Sequence, residues 1–469
     1  MSRTGVLVLA AGKGTRMHSA RPKVLQQLLE EPMASYVVRA LAPVLGEDVW
    51  MLVGHCADDV RKCFPGGRFV FQERQLGTAH ALGTALPDME AAGIRRVLLV
   101  NGDTPLLTPA LVASFLERTK GAPLAFATIT LDDPGAYGRV IREGGRGDGR
   151  VRSIVEAKEF DVALHGPEGR EVNAGMYAVD LALAKELLPL VTCDNAGGEY
   201  YVTDLVELAV GRGIEVLGIA CGADTGLLGV NTPGELARSE ELLREARVEA
   251  LLESGVVIHA PSLVRVGPLA EVAPGARLTG PCEIYGASRI ASEAECLSHV
   301  VVRNCTVERG AVIRSFSHIE DAVVGEGAIV GPFARLRPGA RLEAGSHVGN
   351  FVELKNAVLG PGAKANHLTY LGDASIGAGA NIGAGTITCN YDGKHKYRTT
   401  IGERAFIGSN TAMVAPVVVG DDALVGAGSV VTRNVGPGEM AIARGRQRNI
   451  PRRLAGRDAV PPEEPKSGS

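Results

Sequence analysis

From Val256 onward an apolar residue returns at every sixth position. Val266, Val272, Leu278, Ile284, Ile290 and Cys296 form one run, and Val324, Val330, Leu336, Leu342, Val348 and Leu354 a second. Ile401, Ile407, Met413, Val419, Val425 and Val431 form a third. Glycine or another small residue often follows, as at Gly267, Gly325, Gly331, Gly349, Gly402, Gly408, Gly420 and Gly426, which is what a tight corner requires. Three such segments make one coil of three short strands around stacked aliphatic side chains. At about eighteen residues per coil the segment makes roughly ten coils.

Before this point the chain follows a different pattern. Apolar runs at Val6 to Ala11, Trp50 to Val53, Arg96 to Val100 and Leu124 to Thr130 alternate with helical patterns such as Met33 to Leu45 and Thr108 to Arg118. This predicts an α/β domain with a largely parallel sheet. Thr108-Pro109 supplies a hydroxyl N-cap and a proline at the first helical position. The stretch TPGELARSEELLREARVEALLESG, Thr232 to Gly255, predicts one long helix, with Thr232 as N-cap, Glu235 closing a capping box and Gly255 as the stop. The expected divisions are therefore a first domain over 1–230, a helical linker over 231–255, a hexapeptide domain over 256–445 and a tail over 446–469. The tail has almost nothing apolar to bury and is expected to be disordered.

Composition narrows the function classes. With 49 basic and 53 acidic residues among 469, the chain carries no electrostatic footprint for nucleic acid. Its eight cysteines (Cys56, Cys63, Cys193, Cys221, Cys282, Cys296, Cys305, Cys389) include no CxxC pair, which argues for reduced thiols rather than disulfides or structural zinc. The first apolar run is too short for a signal segment or a membrane span. A cytoplasmic protein without membrane contact is expected.

The stretch LAAGKGTRMHSARPKVL, Leu9 to Leu25, has the glycines and cations of an anion site. It is not a P-loop, because Thr15 follows Gly14 rather than Lys13. It is not a dinucleotide fingerprint either, because Met17 stands where the third glycine belongs. LAAGKGTRM followed by PKVL resembles the opening of the sugar nucleotidyltransferase family. The glycines let backbone N–H groups approach a triphosphate, while Arg16 and Lys23 supply charge for the phosphorus and the leaving pyrophosphate. Asp103, past a strand in LLVNGDTPLL, is an Asx-turn residue or a metal ligand on its own showing. The resemblance implies the second, with Asn231 of Val230-Asn231 as the other oxygen ligand of Mg2+. Asn101 departs from the tyrosine that the family usually carries there.

FQERQLGTAHA, AYGRV, IVEAKE, VNAGMY and GEYYVTD narrow the resemblance to the bacterial bifunctional N-acetylglucosamine-1-phosphate uridyltransferase/glucosamine-1-phosphate acetyltransferases. It implies a Rossmann-like first domain and a left-handed parallel β-helix for the hexapeptide segment. Leu9, Ala10, Ala11, Gly12, Lys23 and Asn231 would lie along UTP, Gln72, Gly77 and Thr78 would contact uracil, and Gly138, Glu156 and Asn173 would hold N-acetylglucosamine. Ala174 replaces a usual threonine.

In the hexapeptide half, basic and hydrogen-bonding residues gather around FARLRPGA, NFVELKNAVLGPGAKANHLTYLGD and NIGAGTITCNYDGKHKYRTT. Acyl transfer to an amine needs a base, donors for the thioester oxyanion and cations for a sugar phosphate. The resemblance makes His367 the base, gives Arg337, Lys355, Tyr370 and Asn381 to glucosamine 1-phosphate, and gives Ala384, Asn390, Tyr391, Ser409, Ala427 and Arg444 to acetyl-CoA. Asn366 stands where glycine or another residue precedes the histidine elsewhere. The implied route runs through N-acetylglucosamine 1-phosphate to UDP-N-acetylglucosamine for peptidoglycan and lipopolysaccharide. The implied assembly is a homotrimer with acetyl-transfer sites shared between chains. The alternative is a single-activity nucleotidyltransferase with a scaffold β-helix.

Overall fold

The structure, a computed structural model, describes residues 3–12, 14–145, 149–165, 169–222 and 225–451. The expectation of a disordered tail falls mostly on 452–469, outside the described residues. Two compact units divide the chain: Met1–Pro274 with Gly280–Ser288, and Gly275–Thr279 with Arg289–Ser469.

The first unit is built on one twisted sheet. Its strands are β1 (Thr4–Leu9), β2 (Val49–Val53), β3 (Arg68–Phe71), β4 (Arg96–Asn101), β5 (Leu124–Thr130), β6 (Arg139–Arg142), β7 (Val151–Val155), β8 (Glu171–Asp180) and β9 (Val216–Ala220). The main path runs β9-β5-β8-β4-β1-β2-β3, with β6 and β7 paired to each other beside β8. The core strands read as continuous apolar runs because both faces are covered. Leu7, Leu52, Leu99 and Phe126 enter one core, while their neighbours Val6, Val8, Leu98 and Ala127 enter the other, as strand alternation dictates. The expectation of a largely parallel sheet needs correction at β8, which runs antiparallel to both β4 and β5. Its run VNAGMYAV is as apolar as a parallel strand's, so composition does not reveal its direction.

Helix boundaries follow the capping chemistry. The Thr108 side chain accepts from Leu111 N at the start of α1 (Pro109–Arg118), and Thr232 with Glu235 forms the full capping box of α2 (Pro233–Glu253). Within the first unit, α2 is tied to the chain that follows it by Arg244, which donates to the Pro261 carbonyl at 2.9 Å, and by the Arg265–Glu240 pair.

The second unit is a stack of short parallel strands in three sheets, a left-handed β-helix of hexapeptide repeats. All eighteen residues of the three apolar runs are buried, fifteen of them in this unit and Val266, Val272 and Ile284 in the first. Coil length is less regular than the expected eighteen. Val324 pairs with Leu342 eighteen residues on, but Ile290 pairs with Val307, Val307 with Val324, and Leu342 with Leu359 at seventeen. Each seventeen-residue coil saves its residue at a corner where Asn304, Asp321, Asn356 or Asp373 takes positive φ, the left-handed conformation that short Asn and Asp side chains tolerate best. Ile376 pairs with Ile401 twenty-five residues on, the extra chain forming the loop around Tyr391–Lys396. At another corner Phe316, Phe333 and Phe351 stack in a row with ring centroids 4.8 and 5.3 Å apart, about half exposed.

Candidate functional site

Strands β1 and β4 end side by side, with Leu9 opposite Asn101, and the loops that leave their carboxyl ends form the first site. Ligands of α/β sheets bind at such strand ends. Leu9 O accepts from Gly102 N at 3.0 Å and Ala10 N donates to Leu52 O at 2.9 Å, so the turn through Ala11 and Gly12 leaves from a fixed point. Gly14 has φ 61°, and a Cβ there would stand 2.5 Å from the Lys23 Cβ. Only glycine lets the loop close over Lys23.

Lys23 Nζ is bonded to Asp103 Oδ2 and lies 2.8 Å from Asn231 Oδ1. Arg16 Nη2 reaches the same Asn231 oxygen at 3.3 Å. Four residues separated by up to 215 positions thus converge, and the Lys23 and Asp103 side chains are only 14% and 19% exposed. Asp103 Oδ1 is buried without a hydrogen-bond partner, an unmet demand that a buried carboxylate oxygen does not carry without cost. Asp103 is held by its carbonyl, which accepts from Val230 N at 2.8 Å.

Beside this cluster opens a cavity of about 220 Å³, lined among others by Arg16, Asp103, Gly138, Glu156, Asn173 and Asn231. Asn101 and Ala174, the two departures from the family pattern, line it too. So does Tyr137, whose hydroxyl accepts from Gly229 N at 3.2 Å. Burial raises the Tyr137 phenol and the Glu156 carboxyl above their usual values, the latter opposed by a 3.0 Å bond from Thr203 Oγ1. Asp204 is pushed up to about 6, first by burial and then by Glu156, Glu159 and Glu207. Gln72, Gly77 and Thr78 do not line this cavity. The Gln72 amide is buried against His80 Nδ1 at 2.8 Å, Gly77 precedes the helix Thr78–Ala91, and Thr78 Oγ1 accepts from Val202 N at 2.9 Å.

The second site lies on the outside of the β-helix, because stacked aliphatics fill its inside. His367 ends the strand Lys364–His367 just before the corner at Leu368, and Asn381 stands one coil on in the same sheet. Ala384, Ser409 and Ala427 continue along that corner, linked by bonds from Asn410 N to Ala384 O, Gly428 N to Ser409 O and Arg444 Nη1 to Ala427 O, at 2.7, 2.8 and 2.6 Å. Arg337 and Lys355 instead lead into the corner of Gly339, Asn356 and Asp373, where Asn390 Nδ2 meets Asp373 Oδ2 at 2.5 Å. Tyr370 pairs in register with Glu353, which holds Arg337 Nη1 at 2.9 Å. Tyr391 is 61% exposed on the inserted loop. Within one chain the residues expected along acetyl-CoA therefore divide between two corners, Asn390 and Tyr391 at one and the other four along the other.

Two residues join the sites without a signal of their own in the sequence. Tyr137 is the second residue of AYGRV. Lys396, in the loop, comes close enough to Lys355 that it, with Arg337, holds the Lys355 ammonium below its usual value. Three cations in YDGKHK and its partner motifs were the available signal.

These features define a class, a nucleotidyltransferase domain joined to a hexapeptide-repeat transferase domain. The family described as "MobA-like NTP transferase domain" matches residues 6–158 and "Hexapeptide repeat of succinyl-transferase" matches 398–433. The chain is 60% identical over 454 residues to "Bifunctional protein GlmU" of Nitratidesulfovibrio vulgaris strain Hildenborough, covering 96% of this chain and 99% of that protein. It is 56% identical to the protein of that name from Oleidesulfovibrio alaskensis over 95% and 97%, and 44% identical to that of Lawsonia intracellularis over 96% and 98%. The chain belongs to the bifunctional GlmU family.

Proposed function

We propose that this chain makes UDP-N-acetylglucosamine by two reactions in separate domains, acetylating glucosamine 1-phosphate from acetyl-CoA and then coupling the product to UTP with release of pyrophosphate. The observation that carries the reading is the convergence of Lys23, Asp103, Asn231 and Arg16 in a chain that matches bifunctional relatives over nearly its whole length.

In the first reaction a sugar phosphate oxygen attacks the α-phosphorus of UTP and the bond to pyrophosphate breaks. Arg16 and Lys23 balance the phosphate charge, and the backbone of Leu9 to Gly12 lies along the nucleotide. Gln72, Gly77 and Thr78 take the uracil, and Gly138, Glu156 and Asn173 take the sugar. Asp103 and Asn231 would hold Mg2+. The fit rests on hard oxygen donors and on the buried, unpartnered Asp103 Oδ1. Bound there, the ion supplies charge neutralisation for the triphosphate.

In the second reaction His367 takes a proton as the sugar amine attacks the thioester carbon. The carbon–sulfur bond then breaks and coenzyme A leaves. Arg337, Lys355 and Lys396 hold the sugar phosphate, and Tyr370 and Asn381 the sugar. Ala384, Ser409, Ala427 and Arg444 run along acetyl-CoA. Because Asn390 and Tyr391 stand at the other corner of the same chain, they complete a neighbouring chain's site in a closed homotrimer. The protein works in the cytoplasm, and no described helix is long and apolar enough to cross a membrane.

One assay tests the reading. UTP and other nucleotides are offered with free and acetylated amino sugar phosphates, and thiol and pyrophosphate release are followed separately. Pyrophosphate release without thiol release would leave a nucleotidyltransferase with a scaffold β-helix. Mixed trimers of His367→Ala and Asn390→Ala chains should recover some acetyl transfer; none in verified mixtures sinks the shared site.

A further inference from the structure

His367 is fixed from the coil before it by a single side chain. Asn350 and His367 are register partners in adjacent parallel strands, and the ring Nδ1 lies 2.8 Å from Asn350 Oδ1. The backbone around the pair is pinned from both sides. Leu368 N donates to Asn350 O at 3.1 Å, and Thr369 Oγ1 donates to the His367 carbonyl at 2.7 Å. The two coils close tightly here, since a Cβ on Gly349 would stand 2.0 Å from Asn366 O. The backbone on both sides of the pair is therefore fixed, and the exposed ring is held by the Asn350 amide.

A neutral imidazole carries one proton, and the hydrogen bond at one nitrogen decides which of the two keeps the free lone pair. We propose that Asn350 is the positioning residue of the acetyl-transfer base: its amide oxygen accepts from Nδ1–H, fixes the ring plane and reserves Nε2 to receive the amine proton. Were the amide turned so that its nitrogen donated to Nδ1, the proton would sit on Nε2 and the ring could not act as base there. The inference rests on His367 being the base. Asn350 itself never meets the reacting atoms; it acts through the ring.

His347, the register partner of Lys364 on the strand of His367, feels the charges of Arg314, Lys364 and His367 together. All are cationic when protonated, so a neutral acceptor orients the ring without competing with them for charge. Aspartate at position 350 keeps the acceptor and adds a negative charge that favours the imidazolium.

The test is steady-state acetyl transfer across pH for Asn350→Ala, Asn350→Asp and His367→Ala in the full-length protein. Unfolding temperature and uridylyl transfer are followed as readouts of the fold. Asn350→Ala is expected to lower kcat about 10- to 100-fold, the range by which a metal-bound histidine suffers when its orienting partner is lost, with KM for glucosamine 1-phosphate nearly unchanged. Asn350→Asp is expected to recover most of kcat, with the acid limb of its pH profile moved to higher pH. An unchanged kcat in Asn350→Ala overturns the inference. So does an Asn350→Asp enzyme as slow as Asn350→Ala, because an acceptor alone would then not suffice. A fall in unfolding temperature that tracks the loss of rate in both variants overturns it in favour of a structural role. If His367→Ala keeps acetyl transfer, the base reading itself falls; an inactive His367→Ala beside a fully active Asn350→Ala removes only the role of Asn350.

Discussion

The two candidate sites answer opposite problems. In the α/β domain, loops at the strand ends fold over the charged residues, and Lys23 joins Asp103 and Asn231 within one chain. In the β-helix the interior is solid with stacked aliphatics, so every polar group that does chemistry must stand outside. There Arg337, Lys355 and Tyr391 lie on a surface that a single chain covers on one side only. A fold with an open end of its sheet makes a pocket by itself, while in the function proposed above a closed prism makes one by meeting another prism. This contrast predicts that the two activities fail separately and for different reasons.

The strongest break would come from His367→Ala, expected to lower acetyl transfer by about 100- to 10,000-fold while uridylylation of supplied N-acetylglucosamine 1-phosphate continues. Thiol release measured beside pyrophosphate release decides it, and near-normal thiol release would return His367 to a structural role. The converse is Asp103→Asn, expected to cut uridylyl transfer about 100- to 1,000-fold, the range seen when a preorganised electrostatic group is lost, with acetyl transfer intact. A parallel fall of both rates in either variant would show that the domains are not independent.

Gly349→Ala probes packing in the closed prism. Its Cβ has no room against Asn366 O, so overpacking should cost about 1–3 kcal/mol, seen as a lower unfolding transition and weaker acetyl transfer with uridylyl transfer spared. Asp204→Asn, in the other domain, should have the smallest effect and the opposite sign. The folded-state carboxyl, pushed up to about 6, holds its proton more tightly than the unfolded chain's, at about 3.9. Asp204 therefore weakens the fold increasingly as pH rises through this window and costs little below it. The variant should melt higher than the parent at alkaline pH, with the difference fading as pH falls from about 6 toward about 4. A gain that is independent of pH would point to packing instead.

Much of this molecule was legible because its repeats are periodic and its caps are local. The six-residue runs marked the buried positions, and Thr232 with Glu235 marked a helix start that the structure reproduces. What escaped was set by distance. The direction of β8 depends on neighbours far along the chain. The seventeen-residue coils arise from one left-handed Asn or Asp at a corner, a signal present in the sequence but silent until the register is known to slip. At the sites, Asp103 and Asn231 were named by resemblance, yet only the fold brings Lys23 between them. The division of Asn390 from Ala384 between two corners is a property of the coil, which no linear spacing displays.

The long coil from Ile376 to Ile401 returns to register as faithfully as its shorter neighbours. Excess chain leaves at a corner and rejoins the ladder with its aliphatic residue still aimed inward, so the prism is indifferent to what hangs from it. Such a scaffold lets a ligand-reaching loop lengthen, shorten or be exchanged by inheritance without any rung being rebuilt, and new chemistry can be added at the edge while the spine stays the same.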